Sequence, residues 1–221
     1  MASTSEGTGS KPRVLILTLD KTEFFMEMYE DFVHLLKTKA EVQQITTPDE
    51  ARAAFTSQAK PTAILCADGS LTTSTRITLL QDARSYAHAG GILVFMGLFS
   101  SFSRPPDIDS LFSSLGLTWT NGDYHRTTFK LNPGMKHFDT TDLASSYSQK
   151  ALHLANVAFR DSVYLPTQDS RVESAVFGPS TVNQSQTPAA LAQVGQGKIG
   201  YIGDVNNEDE TTPVVLGMCG L

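Results

Sequence analysis

Residues 13–36 read RVLILTLDKTEFFMEMYEDFVHLL, and the change of period inside this stretch decides the fold. From Arg13 to Leu19 the apolar residues run on without alternation, the pattern of a strand buried on both faces of a parallel sheet. From Phe25 the period becomes helical, with Phe25, Met28, Tyr29, Phe32, Leu35 and Leu36 on one side and Glu23, Glu27, Glu30 and Asp31 on others. Asp20 and Glu23 form a capping-box pattern at the join. A buried strand running straight into an amphipathic helix is half of a βαβ unit.

The same alternation recurs on the C-terminal side. A short strand at Glu41 to Thr46 precedes Thr47-Pro48-Asp49-Glu50, where Thr47 can cap, Pro48 takes the first helical position and Glu50 closes a capping box for a helix over Asp49 to Ser57. Pro61 opens PTAILCADGS, a third buried strand, followed by a helix from Ser74 to His88 that turns Ile77, Leu80, Ala83 and Ala87 inward and stops at Ala89-Gly90-Gly91. ILVFMG is the fourth strand, and a helix with Ile108, Leu111, Phe112 and Leu115 ends at Gly116. Such alternation predicts a flavodoxin-like, doubly wound, mostly parallel sheet with helices on both faces. The second half reads as shorter strands: Tyr124 to Leu131, HLANVAF, SVYLP, VESAVFGPS and the pair AALAQV and GKIGYI. These predict an antiparallel extension, closed by a helix over Thr211 to Met218.

The 221 residues carry 17 Lys plus Arg against 23 Asp plus Glu, a net charge of −6. That balance gives no basic excess for nucleic acid or anionic lipid, so neither is expected as a partner. Met1 to Ser10, MASTSEGTGS, has neither a positive nor an apolar region, and a disordered tail over residues 1–11 is expected ahead of one domain over 12–221. Only two cysteines occur, Cys66 and Cys219, which suits a reducing, cytoplasmic setting.

The element order, together with ILVFMGLFSSF after a Gly-Gly-bounded helix, the LFSSLGLTW segment, and GQGKIGYIGDVN before a terminal helix, resembles the class I glutamine amidotransferase-like superfamily. The nearest branches are the ThuA-like and galactosidase-trimerisation-like ones. In catalytic members a cysteine sits on the turn after the strand that ILVFMG resembles, and a histidine follows a later strand. Here Leu98 or Phe99 falls where the thiol belongs, and Asp204 where the histidine belongs, so the resemblance implies a chain without the Cys-His pair.

Several local patterns have plainer explanations than chemistry. Gly195-x-Gly197-x-x-Gly200 lies between two strands, whereas a dinucleotide fingerprint joins a strand to a helix; no cofactor is expected. Cys66 within ILCAD reads as a small core residue. The acidic run Gly203 to Glu210 lacks the glycine and glutamate of a calcium loop and reads as a solvated loop before a helix, so no metal is expected. Asp123-Tyr124-His125-Arg126 concentrates functional side chains, and His125 is the natural proton carrier near neutral pH.

Ligands of open α/β sheets bind beyond the carboxyl ends of the strands, which predicts that Asp20, Asp68, Gly97 and Asp204 gather at one rim. Asp20, Gly69, Ser70, Gly97, Leu98, Phe99 and Arg126 are the expected ligand-binding residues, and Asp68, His125 and Asp204 the expected acid-base residues. Three readings follow: a non-catalytic amidotransferase-like domain that binds a small polar ligand or a partner protein; a hydrolase on a small sugar-related or amide substrate; and a structural homo-oligomeric subunit.

Overall fold

The computed structural model describes residues 11–20, 22–176 and 178–221; the expected tail over residues 1–10 lies outside them. A six-stranded sheet has the order β2-β1-β3-β4-β9-β8, with β1 (Arg13–Leu17), β2 (Glu41–Ile45), β3 (Ala63–Cys66), β4 (Ile92–Phe95), β8 (Ala189–Val194) and β9 (Gly197–Ile202). The first five in that order run parallel, and β8 is antiparallel to β9. Val14 to Leu17 and Ala63 to Cys66 are at most 1% exposed, as double-sided burial of continuous apolar runs requires.

The crossover helices are α1 (Thr22–Lys39), α2 (Pro48–Thr56), α3 (Ile77–His88), the single turn α4 (Phe99–Phe102) and α5 (Pro105–Ser114), with α6 (Thr211–Met218) closing the chain. One apolar cluster holds residues of α2, α3 and α5, the other residues of α1 and α6, which places helices on both faces of the sheet. The capping box of α2 forms as expected: the Glu50 amide donates to the Thr47 hydroxyl at 3.3 Å, and the Thr47 amide to the Glu50 carboxylate at 3.2 Å. Thr47→Ala should therefore cost about 1 kcal/mol in urea unfolding.

The structure differs from the sequence reading in three places. The antiparallel extension of the central sheet is β8 alone. The segments before it build a separate antiparallel sheet of order β6-β5-β7, from β5 (Thr120–Leu131), β6 (Ser146–Ala155) and β7 (Tyr164–Pro166). VESAVFGPS is a loop that meets β5 through an isolated bridge of Glu173 with Arg126 and is closed by a bridge between its flanking residues Arg171 and Thr181; Phe177 in it lies outside the described residues. Finally, α3 begins at Ile77 after two 3₁₀ turns, so Ile77 is 61% exposed; Ala83 and Ala87 face the core as expected, joined by Leu79 and Tyr86, with Leu80 partly buried.

The two sheets meet at the carboxyl end of β9. The Leu152 amide donates to the Gly203 carbonyl at 2.9 Å, the Val205 amide to the Lys150 carbonyl at 3.0 Å and the Leu154 amide to the Thr187 carbonyl at 2.8 Å. A carbon added at Gly203 would lie 2.0 Å from the Leu152 carbonyl oxygen, so only glycine lets the strands approach this closely.

Candidate functional site

In a sheet of this order the order in which strands are added reverses between the parallel neighbours β1 and β3, and the loops leaving those two strands form the crevice where open α/β sheets hold ligands. The loop after β1 presents Asp20, and the loop after β3 presents Asp68, Gly69 and Ser70. Asp68, 1% exposed, ties the two together: one carboxylate oxygen accepts from the Asp20 amide at 2.8 Å, the other from the Ser70 amide at 3.0 Å. Asp20 in turn receives both Arg76 guanidinium nitrogens at 2.7 Å. Lys21, beside the expected cap of α1, lies outside the described residues.

Above these loops, between α3 and α5, opens a cleft of about 670 Å³. Asp20, Gly69 and Leu71 to Ser74 line one side; Phe102, Arg104, Asp107, Ser110, Leu111 and Ser114 line the other. This volume falls in the range of small-molecule sites. Of the expected ligand-binding residues, Asp20 and Gly69 line it directly and Ser70 is buried, as is the expected acid-base residue Asp68.

The turn after β4 is built differently. Its left-handed residue is Gly97, φ +63°, one position ahead of Leu98. A sharp strand-to-helix turn of this kind is where α/β enzymes present a nucleophile, and here it carries no side chain. The space above it is filled. Phe25 stacks on Tyr29 with centroids 4.8 Å apart, and a Cβ at Gly97 would come within 3.1 Å of the Phe25 ring. Leu98 and Phe99 are at most 1% exposed and belong to the two apolar cores. What remains between Tyr29, Gly97, Asp204 and Thr211 is a cavity of about 10 Å³, room for one water.

Asp204 is buried rather than part of a solvated loop. Its carboxylate accepts from the Asn206 amide at 2.9 Å, the Glu208 amide at 2.8 Å and the Thr211 hydroxyl. Burial still holds its pKa above the usual carboxylate range, despite these bonds. Glu208 also forms an ion pair with Arg126, so the structure joins Arg126 to the Asp204 loop.

His125 is brought near that end of the sheet but not into the cleft. Ala151 of β6 pairs with both Asp204 and His125, which sets their backbones two strand spacings apart, roughly 10 Å. The His125 ring lies edge-on to His153, centroids 4.4 Å apart, and lines a separate cavity of about 840 Å³ with Tyr124, Arg126, Lys150 and Glu173. Burial lowers the pKa of His125, against the opposing charge of Asp123, and drives that of His153 down to about 3. Both imidazoles are neutral at pH 7, and the Nε2 atom of each is buried without a hydrogen-bond partner among the described residues. Sequence reasoning missed His153; its one signal was a histidine inside the otherwise apolar run ALHLA.

The expected rim therefore divides: Asp20 and Gly69 line the switch-point cleft, with Asp68 and Ser70 buried in the loop that carries Gly69; Gly97, Leu98 and Phe99 close the β4 turn, and Asp204, Arg126 and His125 sit where the two sheets join. Cys66 is buried, and burial raises its thiol pKa well above the ordinary value, as a core residue requires. Among the described residues no three His, Cys, Asp or Glu side chains gather as a metal site, and no helix is long and apolar enough to cross a membrane.

No family model and no curated protein matches the chain. Solved structures do. A ThuA-like protein from Bacteroides uniformis superposes with a TM-score of 0.58 at 12% identity, over 99% of this chain and 94% of that one. A cytoplasmic protein from Salmonella typhimurium gives 0.51 at 12% identity, over 92% of each chain. A β-galactosidase from the haloarchaeon Halorubrum lacusprofundi gives 0.50 at 14% identity; 96% of this chain matches 31% of the enzyme. At these identities the likeness concerns the fold alone, the mostly parallel α/β arrangement that this chain shares with the ThuA-like protein.

Proposed function

We propose that the chain is a non-catalytic amidotransferase-like domain that binds a small polar molecule in the cleft at the β1/β3 switch point. The observation that carries this reading is the cleft itself, whose two forming loops are held together by the buried Asp68 carboxylate. A site built this way needs little ordering when a ligand enters. The β4 turn supports the non-catalytic half of the reading, because Gly97 offers no nucleophilic atom and Phe25 packs over it. A hydrolase using Asp68, His125 and Asp204 has less support, since the three do not line one cavity. A cytoplasmic setting fits the two buried free cysteines, and the Salmonella protein of like fold is named as cytoplasmic.

The test is a screen of small polar fragments against ¹⁵N-labelled protein. Amide shifts should concentrate at Gly69, Leu71 to Ser74 and Ser110. Ser110→Trp, on the exposed side of α5, should abolish them while changing stability by less than about 0.5 kcal/mol. Fragments that shift the amides around His125 and Lys150 instead would overturn the assignment.

A further inference from the structure

We infer that the occupant of this cleft is an organic ammonium carrying a compact apolar body. The inference rests on the cleft being a ligand site and follows from where its hydroxyl protons go. Thr72 donates its proton to the Gly69 carbonyl at 2.8 Å and Thr73 to the Ser70 carbonyl at 3.0 Å. On the facing helix Ser110 donates to the Pro106 carbonyl and Ser114 to the Ser110 carbonyl, both at 2.8 Å. A hydroxyl has one proton and two lone pairs, so all four present acceptors to the cleft.

The charged lining points the same way. Asp20 and Asp107 only accept; Asp20 is held by Arg76, and Arg104, the one cation among the described lining residues, is held by Asp107 through two bonds of 2.7 and 3.0 Å, so no described lining cation is left to receive a ligand anion. A ligand carboxylate or phosphate would meet lone pairs from both walls, whereas an ammonium brings three donors to them. Apart from Gly69 and the Ser74 hydroxyl, the rest of the described lining is apolar: Leu71, Leu80, Leu111 and the exposed Ile77, with Phe102. Phe102 is 48% exposed and packs edge-on against Phe24, centroids 5.9 Å apart, adding aromatic surface to the lining.

Three compounds of nearly equal shape separate the possibilities: 2-phenylethylammonium, 2-phenylethanol and phenylacetate, titrated at pH 7 while the Gly69, Leu71 to Ser74 and Ser110 amides are followed. The ammonium should bind at least about fivefold more tightly than the alcohol, from the greater strength of charge-assisted hydrogen bonds, and phenylacetate should be weakest. Asp107→Asn removes a carboxylate charge and releases Arg104, so the order of ammonium and phenylacetate should reverse. If the alcohol or phenylacetate binds the wild-type cleft as tightly as the ammonium, the inference fails and the cleft remains a ligand site. It fails alone, too, if other polar fragments shift these amides and none of the three does; if nothing shifts them, both readings fall.

Discussion

Gly203→Ala should lower stability by about 3 kcal/mol, a large fraction of what holds a domain of this size together. The added carbon has no accommodating direction: it would sit 2.0 Å from the Leu152 carbonyl oxygen and 3.1 Å from that of Pro188, both main-chain atoms. Gly203 also donates to the Pro188 carbonyl at 2.8 Å and accepts from the Leu152 amide at 2.9 Å, so relieving the overlap means breaking hydrogen bonds at the seam between the sheets. Urea unfolding followed by circular dichroism measures the change. A loss below about 0.5 kcal/mol would mean that the seam yields without cost.

Acidification should destabilise the fold through His153 by about 4 kcal/mol between pH 6.5 and pH 3. Its ordinary pKa is 6.5, and in the folded chain burial lowers it to about 3. Between these values the unfolded chain holds a proton on this residue and the folded chain does not, so stability falls as pH falls, by about 1.4 kcal/mol per unit at most. His125, also lowered, acts in the same direction. Asp204 acts oppositely: burial raises its pKa, so its contribution is present at low pH and lost as pH rises through its folded value. The measurement is therefore a difference, wild type minus His153→Phe, of unfolding free energies at pH 7 and pH 4. Parallel pH curves for the two proteins would refute the buried, neutral state of the ring.

The first half of the fold was legible because its strands are buried on both faces and its helices on one, so composition and period carry the assignment without knowledge of partners. RVLIL and ILVF have no other economical reading, and Thr47-Pro48-Asp49-Glu50 states its own helix start. The second half was harder, because a half-exposed strand is defined by what pairs with it. VESAVFGPS has strand composition yet stays a loop, while β5 and β6 form their own sheet through a register that no local pattern announces. The same limit applies to the site. Asp20 and Asp68 follow adjacent parallel strands, so fold order alone places them together. His153 meets His125 across the β5/β6 pairing, and Asp204 turns into its own loop because nearby amides satisfy it.

The packing over Gly97 sets an order on any route by which a nucleophile could be placed on this turn. Converting Gly97 to cysteine first would force a branched Cα into a left-handed backbone and press the new carbon to within 3.1 Å of Phe25, itself fully buried and stacked on Tyr29. The thiol would gain no open volume beyond a space the size of one water. Phe25 and Tyr29 must shrink before position 97 can change with profit, and each shrinking step alone leaves a hole in the α1 core. The intermediates are less stable and hold no new reactive group, so the packing guards the turn against stepwise change.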